Sequence, residues 1–272
     1  MEEDDFLNIE IDQGVAVVTL NRPESLNALY PPLMRKLTET LRLCADDEQV
    51  RCVVLTGAGK GFCAGADMRV VNKAVEDRLK AEPNAADATN HGVQTTEQRA
   101  AWVRRCAEAS RLLHEMAKPT IAMINGACAG AGMSLAAACD FRFAAERAVF
   151  RSSFTPIGLS GDYGGSWLWT RILGTAKARQ LYFFDERRSA AQALEFGLVD
   201  AVFADADLTT EVMAKARYLA ALPGAGLALA KQNLNAALTE DLAASLDRDS
   251  LNMMLAREVL MEQRKAQEGG QA

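Results

Sequence analysis

The sequence predicts an α/β fold with a helical C-terminal appendage, and three observations predict it. Short β-branched apolar runs alternate with helix-period segments through the first part of the chain. Beyond Gly158 the pattern turns mainly helical, punctuated by Gly174, Gly197 and Gly224. Two of the strand-type runs also end alike, each in a Gly/Ala loop that runs into a helix.

Taken in order, residues 6–20 read as two strands. Phe6, Ile9 and Ile11 lead to a turn at Asp12-Gln13-Gly14, and Val15 to Leu20 is the β-branched return. Pro31 opens a helix to about Cys44, with Met34, Leu37, Leu41 and Leu43 expected inward. Arg51 to Thr56 is a continuous apolar run, as in a strand buried on both faces. A Gly-rich loop follows from Gly57 to Asp67. Residues 69–98 are polar, lack a clear period and read as a surface excursion that could serve as a lid. A helix is expected over Glu97–Met116, a strand over Thr120–Ile124 and a short helix from about Met133 to Ala138. Short strands are expected over Phe141–Ala144 and Ala148–Phe150. From about Leu234 to Ala266, Leu242, Leu246, Leu251, Leu255 and Val259 recur at helical spacing, as on an element that covers a neighbouring surface. No internal repeat is visible in the residues.

Composition excludes several function classes. The 272 residues are 49% hydrophobic and 24% charged, within the range of folded globular chains. A net charge of −6 argues against a broad basic surface for nucleic acid. The acidic start, Met-Glu-Glu-Asp-Asp, resembles neither a secretory nor a transit signal, and no run is long and apolar enough to span a membrane. Cys44, Cys52, Cys63, Cys106, Cys128 and Cys139 are scattered without CxxC spacing, with only His91 and His114 beside them. Buried, reduced thiols in a cytoplasmic protein are expected, and no metal site.

The two glycine loops carry the chemistry. The first is Leu55-Thr56-Gly57 through Phe62-Cys63-Ala64-Gly65-Ala66-Asp67-Met68. The second is Met123-Ile124-Asn125-Gly126 through Ala129-Gly130-Ala131-Gly132-Met133. Tiny side chains let a ligand reach the backbone, and a helix N-terminus offers unpaired N–H donors. Two such donors converging on one oxygen form an oxyanion hole, in which losing one donor costs about 100- to 1,000-fold in rate. Tight turns with close helix–strand packing would give the same composition. Neither loop matches a phosphate-binding or dinucleotide fingerprint.

Together these segments resemble the crotonase family, also called the enoyl-CoA hydratase/isomerase family, over roughly residues 6–260. The resemblance is carried by Leu20-Asn21-Arg22-Pro23 with Leu26-Asn27-Ala28-Leu29, by Gly61 to Met68, by Asn125 to Gly132, by Ile157-Gly158-Leu159 with Gly164-Gly165, and by Phe196-Gly197-Leu198-Val199-Asp200. It implies stacked ββα units over residues 1–200, holding CoA and the active site. It also implies a C-terminal helical region, 201–272, that assembles trimers or dimers of trimers. The substrate it implies is an acyl-CoA thioester, with CoA part of the substrate and no separate cofactor. By position, the oxyanion donors are the N–H groups of Ala66 and Ala131. The strip Ala64, Ala66, Asp67, Met68, together with Ala131, resembles the CoA-binding surface. Arg22 resembles a residue near the CoA phosphates, or is an ordinary surface arginine.

The acid/base positions decide the reaction. Family hydratases use two glutamates, whose positions here hold Ser134 and Phe154. Neither is a carboxylate, which argues against the two-carboxylate route to hydration. Asp162, in Gly158-Leu159-Ser160-Gly161-Asp162-Tyr163-Gly164-Gly165, resembles the single aspartate of family isomerases and of a dehalogenase branch. One carboxylate can move a proton between two carbons of a stabilised enolate. Asp162 could instead cap a following helix. Isomerisation of an enoyl-CoA-type thioester is the leading expectation. Hydration, or non-catalytic CoA binding, is the alternative.

Overall fold

The computed structural model describes residues 6–80 and 95–269. A hairpin of β1 (Leu7–Asp12) and β2 (Val15–Leu20) opens the chain, and α1 (Pro31–Asp46) follows. Next come β3 (Cys52–Gly57), β4 (Gly61–Cys63) and α2 (Met68–Lys80). After α3 (Thr96–Cys106) and α4 (Glu108–Glu115), the same order returns as β5 (Thr120–Ile124), β6 (Ala127–Ala129) and α5 (Ala131–Ala138). It returns again as β7 (Phe141–Ala145), β8 (Val149–Arg151) and α6 (Gly165–Phe183). The chain closes with β9 (Arg188–Ser189), α7 (Ala190–Phe196), β10 (Ala201–Phe203), α8 (Leu208–Ala221), α9 (Gly224–Ala236) and α10 (Leu242–Gly269).

Each ββα layer gives its first strand to one sheet and its second to another. The larger sheet runs β1-β2-β3-β5-β7-β10 and the smaller β4-β6-β8-β9. The structure therefore contains a repeat that the residues do not display. It lies in strand–corner–strand order rather than in matching side chains. The second strands span only three residues each, too few to show alternation.

β3 and β5 are buried on both faces, as their uninterrupted apolar runs demand. On one face Cys52, Val54, Ile121 and Met123 meet Val212, Ala216 and Ala220 of α8. On the other, Val53, Leu55, Ala122 and Ile124 join Leu33, Leu37 and Leu41 of α1 and most of α5. The large sheet also runs past residue 200, because β10 pairs with β7 in parallel.

Three expectations need correction. Leu43 is 69% exposed, and Cys44 fills the inward place instead, seven residues on from Leu37 and on the same helical stripe. Of residues 69–98, expected as irregular, 69–80 belong to helix α2 and 96–98 to helix α3, while 81–94 lie outside the described residues. The expected helix over 97–116 is two helices, broken at Ala107. All six cysteines are buried and unpaired, as expected.

The third layer leaves the small sheet under tight restraint. Ser153 has a φ of +58°, and its N–H donates to the Asp185 carboxylate. That carboxylate also accepts from Ser152 Oγ and Arg151 Nε, each at 2.6 Å.

Candidate active site

The two glycine loops leave adjacent strands. Cys63 of β4 pairs with Cys128 of β6, and Ala66 and Ala131 each lie three residues further on. Neighbouring strands stand about 4.8 Å apart. At that spacing one oxygen can accept from donors on both at about 2.9 Å. The loops also touch. A methyl group built on Gly65 would meet Ala129 O at 3.0 Å and the Ala131 nitrogen at 3.4 Å.

Both donors are left free by the local backbone. Ala66 forms a parallel bridge with Leu29, in which Gly65 O accepts from Leu29 N and Asp67 N donates to Leu29 O. The alternation of an extended strand turns the Ala66 N–H to the opposite side. Ala131 is the first residue of α5, where an N–H has no intrahelical acceptor. Gly130 precedes it at φ +53°, ψ −127°, a conformation open to glycine alone. Gly132 lets α5 lie directly on β4, since a Cβ there would fall 2.3 Å from Cys63 O.

The strip after β4 alternates. Ala64, Ala66 and Met68 face outward to some degree, whereas Gly65 and Asp67 are buried. Asp67 Oδ2 accepts from Arg22 Nη2 at 3.0 Å and from Arg69 Nη2 at 3.1 Å. These arginines, Arg69 foremost, hold its carboxyl down at about 2. Its Oδ1 also accepts from the Arg69 N–H, the second residue of α2, as a helix cap does. Arg22 is only 11% exposed in its side chain, donates to Ala28 O at 2.6 Å and packs 4.1 Å over the Tyr30 ring. Arg22 and Asp67 are thus fastened to each other beneath the strip, with Asp67 buried and Arg22 only partly exposed.

Asp162 does not cap the helix that follows it. α6 begins at Gly165 with Gly164 at its cap position, and no side chain caps it. The Asp162 main-chain carbonyl accepts from Gly165 N at 3.0 Å and from Ser134 Oγ at 3.1 Å. Its carboxyl oxygen Oδ1 is buried without a hydrogen-bond partner. Burial alone pushes this carboxyl up to about 6. Burial raises the Cys63 thiol to about 12, and the Asp162 charge adds to that rise.

Phe154 shields the site. It is 6% exposed, lies 3.9 Å from a methyl group built on Gly130, and stacks on Tyr182 at 6.1 Å with the rings 6° apart. Ser134 is 1% exposed and sits one turn into α5 from Ala131. The structure therefore gathers Ala66, Ala131, Ser134, Phe154 and Asp162 around the two loops. Tyr182 completes the group and was not expected from the sequence. It follows Asp162 by twenty residues, and no motif marks it. His114 packs edge-on against Trp167 at 5.4 Å, a structural role. Among the described residues no cluster of His, Cys, Asp and Glu could hold a metal ion.

The family model described as enoyl-CoA hydratase/isomerase matches residues 10–272. The chain belongs to the enoyl-CoA hydratase/isomerase family. It is 37% identical over 243 residues to the 1,2-epoxyphenylacetyl-CoA isomerase of Escherichia coli K12, covering 89% of this chain and 87% of the relative. It is 28% identical over 251 residues to 4-chlorobenzoyl coenzyme A dehalogenase-2 of Arthrobacter sp, covering 92% and 85%. Its fold matches the crystal structure of an enoyl-CoA hydratase from Polaromonas sp. JS666, with a TM-score of 0.79, 32% identity and coverage of 91% and 90%. As an enoyl-CoA hydratase/isomerase family member it is an acyl-CoA enzyme with the ββα architecture seen here. No helix among the described residues is long and apolar enough to cross a membrane.

Proposed function

We propose that this protein isomerises an enoyl-CoA-type thioester through an enolate, with Asp162 as its acid/base. The observation that carries the reading is the half-buried Asp162, whose Oδ1 is buried and unpartnered, while Ser134 and Phe154 stand where hydratase glutamates are expected. The N–H groups of Ala66 and Ala131 donate to the thioester oxygen. That stabilises negative charge as it develops and acidifies the neighbouring C–H. Ionised Asp162 takes this proton, and the C–H electron pair passes into the enolate. Asp162 then returns the proton to a different carbon of the conjugated system as the thioester carbonyl reforms. The electrons balance without water or a redox partner. Phe154 keeps water from the intermediate.

CoA enters as part of the substrate along the outward strip Ala64, Ala66 and Met68 and the Ala131 loop, while Arg22 and Asp67 hold that strip in place. The relative at 37% identity is named as an isomerase, which supports this choice within the family. We also propose a homotrimer or dimer of trimers, because Leu242, Leu246, Leu251 and Leu255 of α10 are 41–75% exposed in the single chain.

The test is turnover of a panel of 2- and 3-enoyl-CoA thioesters by wild type and Asp162→Asn, run in oxygen-18 water. Double-bond migration lost in the variant, with no heavy oxygen in the product, is expected. A labelled β-hydroxyacyl product would assign a hydratase instead. Unchanged migration in the variant would remove Asp162 from the mechanism.

A further inference from the structure

The Asp162 loop is held by a hydrogen bond from Ser134 and by the close packing of Tyr182. Ser134 Oγ, on α5, donates to the Asp162 carbonyl at 3.1 Å. The Tyr182 hydroxyl and Ser134 Oγ press on the same point of the backbone, at Gly165. Two glycines make the approach possible. A Cβ on Gly165 would fall 2.3 Å from Ser134 Oγ and 2.5 Å from the Tyr182 hydroxyl. A Cβ on Gly161 would fall 2.9 Å from the Tyr182 ring at Cε1. Tyr182 is itself fixed, stacked on Phe154, with its carbonyl accepting from Thr155 Oγ1 at 2.7 Å.

Position matters here because Asp162 is held through its backbone and not through its carboxyl. Its Oδ1 has no partner, so no hydrogen bond at that atom orients the group. Orientation must come from the main chain. The anchor at Ser134 lies three residues along α5 from Ala131, a rise of about 4.5 Å. One short helix therefore carries both the proposed oxyanion donor and the hydroxyl that grips the loop of the proposed base. α5 is in turn seated on β4 at Gly132, with no space for a side chain.

We infer that Ser134 and Tyr182 are positioning residues that set the Asp162 carboxyl against the oxyanion site, using the helix α5 as a fixed spacer. This inference rests on the isomerase reading of the same site. It gives Ser134, at a position where hydratases carry a glutamate, a different duty. Ser134 does not touch the reacting atoms and acts through Asp162. Tyr182 packs against Gly161 and Gly165, one on each side of Asp162, and limits how far the loop can shift.

The probe is exchange of the α-protons of phenylacetyl-CoA in deuterated water, followed by NMR between pH 4.5 and 9. This exchange needs an enolate and a base but no complete turnover. Wild type, Asp162→Asn, Ser134→Ala, Tyr182→Phe and the Ser134→Ala/Tyr182→Phe pair are compared, with phenylacetyl-CoA dissociation constants for each. Ser134→Ala and Tyr182→Phe are each expected to slow exchange about 10- to 100-fold, the cost of a misplacement on the order of 1 Å. Affinity should change less than about twofold. The pair should be little worse than the poorer single variant, as for residues acting as one unit. The midpoint of the acid limb should fall toward the ordinary carboxylate range, because a released loop lets water reach Asp162. A residue that only supports the fold would not move this midpoint. Tyr182→Phe keeps the ring and its stack on Phe154, so it tests the clamp even where Ser134→Ala fails to fold. Exchange within twofold of wild type at an unchanged midpoint in both variants would overturn the positioning role alone. No exchange by wild type, or full exchange by Asp162→Asn, would overturn the isomerase reading itself and the clamp with it.

Discussion

Arg22 Nη2 stands 3.0 Å from Asp67 Oδ2, with the two side chains 11% and 4% exposed. This pair ties the segment after β2 to the strip after β4, so the first glycine loop, the proposed seat of one oxyanion donor, rests on a largely buried ion pair. Asp67→Asn is expected to cost about 1–3 kcal/mol at neutral pH, because Arg22 keeps its burial and loses its charged partner. The sign with pH follows from the direction of the shift. The folded carboxyl sits at about 2, below its ordinary value of 3.8. Its stabilisation is complete above pH ~4 and is lost as pH falls through 2. Urea unfolding of wild type and variant should show a smaller gap at pH 3 than at pH 7. A gap of equal size would mean that the pair contributes no charge-dependent stability.

Asp162 runs the opposite way. Its folded value of about 6 lies above 3.8, so ionising it costs folding free energy. The penalty is absent below pH ~4, grows as pH rises to 6 and is complete above that, reaching at most about 3 kcal/mol. Asp162→Asn should therefore be more stable than wild type at pH 7.5, while losing about 100- to 10,000-fold in activity. The stability gain should vanish at pH 4. A helix cap would give the reverse, a loss of stability on substitution. Unfolding curves across this pH range decide between the two.

Gly132→Ala is expected to lose about 1–3 kcal/mol, or to fail to fold, since the new methyl would lie 2.3 Å from Cys63 O and must push α5 off β4. Where the variant folds, its thermal midpoint should drop by several degrees. Its α-proton exchange should fall with it, because Ala131 and Ser134 ride on the displaced helix. Full exchange in a variant of lowered midpoint would show that α5 can move without cost to the chemistry.

The apolar side chains of α10 give a fourth expectation. Leu246 and Leu255 are 57% and 41% exposed in the single chain. Sedimentation velocity should find a species of three or more chains. Leu246→Glu/Leu255→Glu should shift it toward monomer by burying charge at a contact. A wild-type monomer at micromolar concentration would remove the proposed assembly.

Much of the site was legible because its parts are short-range. Gly/Ala loops between a strand and a helix announce close backbone approach, and Asp162 stands in a loop of its own. What stayed hidden depends on tertiary contact. The inward place of Cys44 and the outward place of Leu43 differ by one helical step, which a list of apolar residues does not resolve. β4, β6, β9 and β10 span two or three residues each and leave no period to detect. The burial of Arg22 follows from Asp67 and Tyr30, 45 and 8 positions away along the chain. Tyr182 was invisible for the same reason. A tyrosine in an apolar helix looks like packing until Gly161 and Gly165 are seen pressed against it.

Cys63, Cys128 and Phe150 stand side by side across β4, β6 and β8. Three residues beyond each come Ala66, Ala131 and Ser153. The first two are the proposed oxyanion donors. At the third, the N–H donates to the carboxylate of Asp185, which also takes Ser152 Oγ at 2.6 Å. Under the proposed reading, the layered architecture makes a seat for a negatively charged oxygen wherever one layer's chain exits beside the next. It leaves one seat open and stoppers the adjoining one with an anion of its own. On this view the seat is a by-product of strand spacing, and what distinguishes one enzyme of this architecture from another is the furniture around it.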